Sequence, residues 1–166
     1  MTTITAEQSV FASNNPEDKK LAGVRGWLFL VAAQLLIAPF VVWESSKGFV
    51  FELLLNGEFF RVVEIAGAAG LMILYGGGLY LLAIPLALIA LVEFLKKGKF
   101  FSLFYIFFIA VFPLAALMIL GGSTFGGAAT EQVATLSLKF FQAATFATLW
   151  IFYALRSKRV KLTFVN

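Results

Sequence analysis

Few side chains in this chain can do chemistry. Its 166 residues include no Cys and no His. Thiol catalysis, disulfides, Cys or His metal ligation, haem ligation through those residues and the commonest general base are therefore absent. Asp18 is the sole aspartate. What remains is Glu, Lys, Tyr and Ser, and no spacing among them makes a triad or a paired carboxylate. The expectation is a protein that is not an enzyme and carries no cofactor.

A handful of polar residues inside apolar surroundings are the candidates for a site. Glu64 and Lys139 have opposite charges and are expected near the outer ends of neighbouring spans. Ionisable groups in a membrane are costly and usually functional, so an ion or proton site is one reading. The other is that both lie at headgroup level, with Arg61 flanked at i±3 by Glu58 and Glu64. Gln34, near the centre of an apolar stretch, and Gln142, in the outer half of another, could line a polar cavity. They could equally make interhelical hydrogen bonds worth about 0.6–2 kcal/mol.

Tyr75-Gly76-Gly77-Gly78-Leu79-Tyr80 is the sharpest local oddity. Broken helices with exposed carbonyls build substrate sites in transporters. The competing reading is close packing: Ala66, Gly70 and Gly77 fall at i, i+4 and i+11, and Gly67 lies beside them. Small residues on one face let helix backbones approach. No second span carries a matching glycine run.

These residues need elements to hold them, and composition says which. The chain is 61% hydrophobic and 13% charged, with a mean hydropathy of +0.93. Ordinary soluble domains are about 45–50% apolar and about 25% charged. A chain this small must leave much surface exposed, so lipid is the solvent the composition implies. The expected fold is all-α: a polytopic antiparallel bundle of four transmembrane helices with both termini inside. Crossing a bilayer takes about 20 apolar residues. Spans are expected at about 24–43, 62–95, 100–120 and 134–155. Residues 62–95 as one helix would extend about 51 Å against a core of about 30 Å, so this span must tilt, protrude or break, with Gly76–Gly78 and Pro85 as weak points. Residues 48–57 form an outer interfacial or re-entrant piece, and 1–20 a flexible cytoplasmic tail. Thr130 is placed to cap the last helix, with Glu131 in its first turn. The crowded phenylalanines, Phe100-Phe101, Phe104, Phe107-Phe108 and Phe112, are lipid-facing bulk and core packing.

Charge gives the orientation. Ten of the thirteen Lys and Arg lie in three short places, Lys19–Arg25, Lys96–Lys99 and Arg156–Lys161. The opposite side holds Lys47, Arg61 and Lys139 against five glutamates. The positive-inside rule then puts both ends and the middle hairpin in the cytoplasm. Lys96, Lys97, Lys99, Arg156, Lys158, Arg159 and Lys161 are membrane-surface anchors, with Glu93 paired to Lys97 at i+4. Residues 159–166 form a basic cytoplasmic tail. The basic residues form no stripe on a soluble face, which excludes nucleic acid as a partner. The lipid bilayer, a membrane-protein partner or a second copy are the partners to expect. The functional expectation is an assembly or accessory protein; the alternative is a small transporter or channel using a glycine-broken second helix.

The ends of the chain carry a pattern. Gly23-Val24-Arg25-Gly26-Trp27-Leu28 opens the first span. Trp150-Ile151-Phe152-Tyr153, Ser157-Lys158-Arg159-Val160-Lys161 and Thr163-Phe164 close the last. With four spans and a basic central hairpin, these strings resemble the small bacterial membrane proteins of domain of unknown function 2569, over about residues 21–166. The resemblance implies four helices in a bacterial inner membrane. It supplies no activity and no catalytic residues.

Overall fold

The computed structural model of the chain describes residues 27–50 and 55–164. The expected tail at 1–20, the start of the first span, residues 51–54 of the expected interfacial piece at 48–57, and residues 165–166 lie outside the described residues. So does the Arg159 side chain. Among the described residues the structure is all-helical: α1 (Trp27–Phe49), α2 (Glu58–Leu95), α3 (Phe101–Phe125), α4 (Thr130–Arg156) and α5 (Lys158–Thr163). The first four are long and apolar enough to cross a membrane.

The helices run further than the apolar stretches suggest. α1 continues through Glu44, Ser45, Ser46 and Lys47 to Phe49, so the chain does not leave the helix at residue 43. α3 continues through Gly121 and Gly122 to Phe125. Helical glycines are weak on propensity alone. Here the pair is held by packing: a methyl at Gly122 would come within 2.7 Å of the Ala69 carbonyl, and one at Gly121 within 2.7 Å of Met72 Cε. The last helix is preceded by Ala129, not Thr130, and no side chain caps it. Glu131 does fall in the first turn.

Neighbours in sequence are neighbours in space. α2 packs most extensively on α3, α4 on α3, and α1 on α2, whereas α1 and α4 scarcely touch. The core stripe of α1, Leu28, Val31, Leu35 and Val42, follows the three–four spacing of one helix face. Ala83, Ala87 and Ala90 give α2 a fully buried small-residue row, while Phe101, Tyr105, Phe108 and Ile109 bring bulk from α3 to the same core. Large side chains on the outside, such as Phe40, Phe107 and Phe141, are exposed, as lipid-facing residues should be.

The break in α2 is not where the triple glycine predicts. Residues 76–78 and Pro85 are helical, and the backbone departs at Gly67, with φ 52° and ψ −129°. Beyond it the chain turns back so sharply that a methyl on Gly70 would lie 2.8 Å from the Val62 carbonyl. The expected single small-residue face is therefore divided. Gly70 packs on its own helix, Gly76 on Ala115 and Ile119 of α3, and Gly77 on the Phe49 ring, while Gly78 faces open space. The broken-helix transporter loses its backbone, because the glycine run exposes no unwound carbonyls.

Both short turns close in the same way. In the α2–α3 turn, Lys97 takes a left-handed φ of 53°, Gly98 N–H donates to Glu93 O at 2.8 Å, and Lys97 N–H donates to Phe94 O at 3.1 Å. In the α3–α4 turn, Gly127 takes φ 73°, Ala128 N–H donates to Ser123 O at 3.0 Å, and Gly127 N–H donates to Thr124 O at 3.3 Å. Each is a Schellman closure. The expected Glu93–Lys97 ion pair does not form. The Glu93 carboxylate instead occupies the space beside Gly98 that a methyl would need.

The basic segment after α4 is not a plain tail. Ser157 Oγ accepts from Val160 N–H at 3.4 Å and caps α5. Val160, Thr163 and Phe164 are buried, while Lys158 and Lys161 are exposed. The Phe164 ring stacks on Phe101 at 4.1 Å between centroids and lies 5.4 Å from Phe94. Half of the segment thus belongs to the core.

Candidate functional site: the cleft between the first and fourth spans

The space that α1 and α4 leave between them is floored by α2 and α3. Tyr80 and Phe112 meet edge to face at 5.6 Å, and Phe108 meets Phe112 at 5.3 Å. The cleft has two chambers that share Tyr80, Phe112, Lys139 and Ala143. The one towards the α3–α4 turn, about 560 Å³, is bordered by Ser45, Ser46, Phe49 and Leu136. The deeper one, about 610 Å³, is bordered by Gln34, Val41, Phe108, Gln142 and Phe146. Volumes of about 300–1,000 Å³ are those of ordinary small-ligand sites.

The deep end is closed by a polar contact inside an aromatic post. Tyr105 Oη donates to Gln34 Oε1 at 3.0 Å, joining α3 to α1. The Tyr105 ring meets Trp150 of α4 edge to face at 6.4 Å, and Trp150 meets Tyr153 at 5.8 Å. Gln34 and Tyr105 therefore tie α1 to α4 through the intermediate helix, and the cleft opens above that tie.

The structure brings Gln34, Gln142 and Lys139 to this one cleft. Glu64 is elsewhere, exposed on the short piece of α2 before Gly67, and it forms no ion pair with Lys139 or Arg61. Arg61 is not paired to Glu58 either; the ion pair among the described residues joins Glu44 to Lys47. The anchors behave as surface groups: Lys96, Lys97 and Lys99 are exposed, Lys99 lies over the Phe100 ring at 5.1 Å, and Arg156 over Phe152 at 5.9 Å. No group of three metal-ligating residues occurs among the described residues.

Sequence reasoning missed Ser46. It is 4% exposed, and its Oγ has no hydrogen-bond partner. Other hydroxyls in these helices bond to the carbonyl four residues earlier: Thr124 to Leu120, Thr135 to Glu131, Ser137 to Val133 and Thr148 to Ala144. A signal was present. Continuing the core spacing of α1 by four residues from Val42 lands on Ser46. Ending the first span at residue 43 hides it.

Four apolar helices of spanning length, packed as sequential neighbours, define a multi-pass membrane protein. The family model described as "Protein of unknown function (DUF2569)" matches residues 21–165, and the chain belongs to that family. No curated protein and no solved structure matches it. The residues that carried the resemblance have physical jobs here: Ser157 caps α5, and Val160, Thr163 and Phe164 dock it on the bundle.

Proposed function

We propose that this protein is a non-enzymatic accessory protein of the bacterial inner membrane, with both termini in the cytoplasm, that holds a membrane-borne ligand or partner in the cleft between α1 and α4. One observation carries this reading. The first and last spans scarcely touch, and the gap between them gathers Lys139, Gln142, Gln34 and two serines. The orientation rests on the distribution of Lys and Arg. The absence of Cys and His from the sequence and the lack of a catalytic constellation support a binding role over an enzymatic one.

The test is photo-crosslinking in living cells. A photoreactive residue at Phe146, which borders the cleft, should give a discrete adduct. The same residue at Phe107, exposed on the outer face of α3, should give only diffuse lipid labelling. Indistinguishable labelling at the two positions would remove the cleft from consideration.

A further inference from the structure

Lys139 poses a physical problem. α4 has 27 residues, or about 40 Å, against a core of about 30 Å, so about 5 Å protrudes at each end of a centred helix. Lys139 begins about 14 Å from the helix start and therefore about 9 Å below the headgroup boundary. Lys139 is exposed, no acidic side chain among the described residues pairs with it, and a cation at that depth must either reach out to the headgroups or be met by an anion. Ser46 borders the same chamber, and its hydroxyl is buried and unbonded where its counterparts bond to their own helix. A buried donor without an acceptor costs about 1–3 kcal/mol. A cation and an orphan donor together call for one acceptor that is negatively charged.

The surroundings specify the rest of the molecule. Serines and the lysine gather towards the α3–α4 turn, while Val41, Phe108 and Phe146 wall the deeper chamber. Gln34 and Gln142 are uncharged polar residues of that deeper chamber, Lys139 borders both, and a charged group beside a mostly apolar wall is the profile that an amphiphile lying parallel to the helices would fill. The site divides into two chambers and opens sideways, which suits an anionic head and one acyl chain better than the even width of a protein helix.

Resting on the cleft reading above, we propose that the α1–α4 cleft binds an anionic glycerophospholipid, with Lys139 and Ser46 on its phosphate and one acyl chain laid in the deeper chamber. Anionic phospholipid surrounds the protein in any bacterial membrane, so the ligand enters laterally without a water-filled path.

The test uses the full chain in lipid nanodiscs. Phosphatidylglycerol and phosphatidylcholine carrying the same photoactivatable acyl chain are compared, with labelled peptides mapped by mass spectrometry. In the unsubstituted protein, phosphatidylglycerol should label the α1 and α4 peptides of the cleft in excess, while both lipids label the Phe107 face alike. Lys139→Gln should cut that excess about fivefold, the effect of one basic residue on anionic lipid. Lys139→Arg should keep it, and Ser46→Ala should reduce it by less. Unchanged helical circular dichroism separates these effects from misfolding. An excess that survives Lys139→Gln, or no excess at all, would overturn the proposal. Stronger labelling by photoactivatable palmitate would overturn the phospholipid in favour of a free carboxylate. A protein adduct at Phe146 that excludes lipid would overturn it while leaving the cleft reading intact, and no adduct of any kind would defeat both.

Discussion

The α2–α3 seam and the α1–α4 gap are built from opposite principles. At the seam, backbone meets backbone: a methyl on Gly76 would lie 2.9 Å from the Ala115 carbonyl, and one on Gly122 would lie 2.7 Å from that of Ala69. Without a hydrophobic force between helices in lipid, close van der Waals contact of this kind is what holds them. At the gap, large rings and polar tips border the space between α1 and α4, and Tyr105 of α3 reaches both Gln34 and Trp150. The contrast teaches that stability and binding are divided between two faces of one bundle. The seam sets the frame, and the gap is free to hold something else.

That division makes several expectations, from large to small. Gly122→Leu or Gly76→Leu should each cost about 1–3 kcal/mol through overpacking against backbone, seen as a lower Tm in detergent. Ala143→Leu, in the wall of both chambers, should change Tm little, within about 0.5 kcal/mol, yet abolish the adduct at Phe146. If it costs as much as Gly122→Leu, the comparison fails. Tyr105→Phe should lose about 0.6–2 kcal/mol by cutting the one hydrogen bond between α3 and Gln34, and should widen the distance between spin labels on α1 and α4. Gly78→Ala should act in the opposite direction: nothing lies within 4 Å, so helix propensity alone should raise stability by about 0.5–1 kcal/mol. A loss there would show that α2 has an unseen neighbour on that side.

The architecture was largely legible because the bilayer leaves few choices. Apolar runs of spanning length must be helices, and Lys96–Lys99 leaves room only for an antiparallel hairpin. The helix ends were misjudged where tertiary contact overrides local composition. Gly121-Gly122 resembles a loop until Ala69 and Ile73 are set against it, and Ser45-Ser46 resembles an exit until the stripe of α1 is carried one turn further. The site was legible only in pieces. Gln34, Gln142 and Lys139 stand out as polar residues in apolar spans, but which helices face one another is a property of packing. Glu64 and Lys139, expected near the outer ends of neighbouring spans, form no ion pair. Gly67 bends α2 just beyond Glu64, and α4 lies against α3. The glycine at the bend has fewer glycine neighbours than Gly76–Gly78, so local composition pointed to the wrong place.

The bend at Gly67 also bears on which membranes the protein can inhabit. Below it, residues 68–95 form a rod of about 42 Å, already longer than a typical hydrocarbon core. Above it, the short piece ending at Ala66 is folded back and adds nothing to that length. A straight α2 would have to lean steeply or stretch the bilayer around it. Glu58–Ala66 forms a nine-residue arm folded back on the helix, and the seam with α3 begins beyond it, at Ala69. The sharp turn therefore keeps the length that α2 presents across a bilayer to that of a single rod.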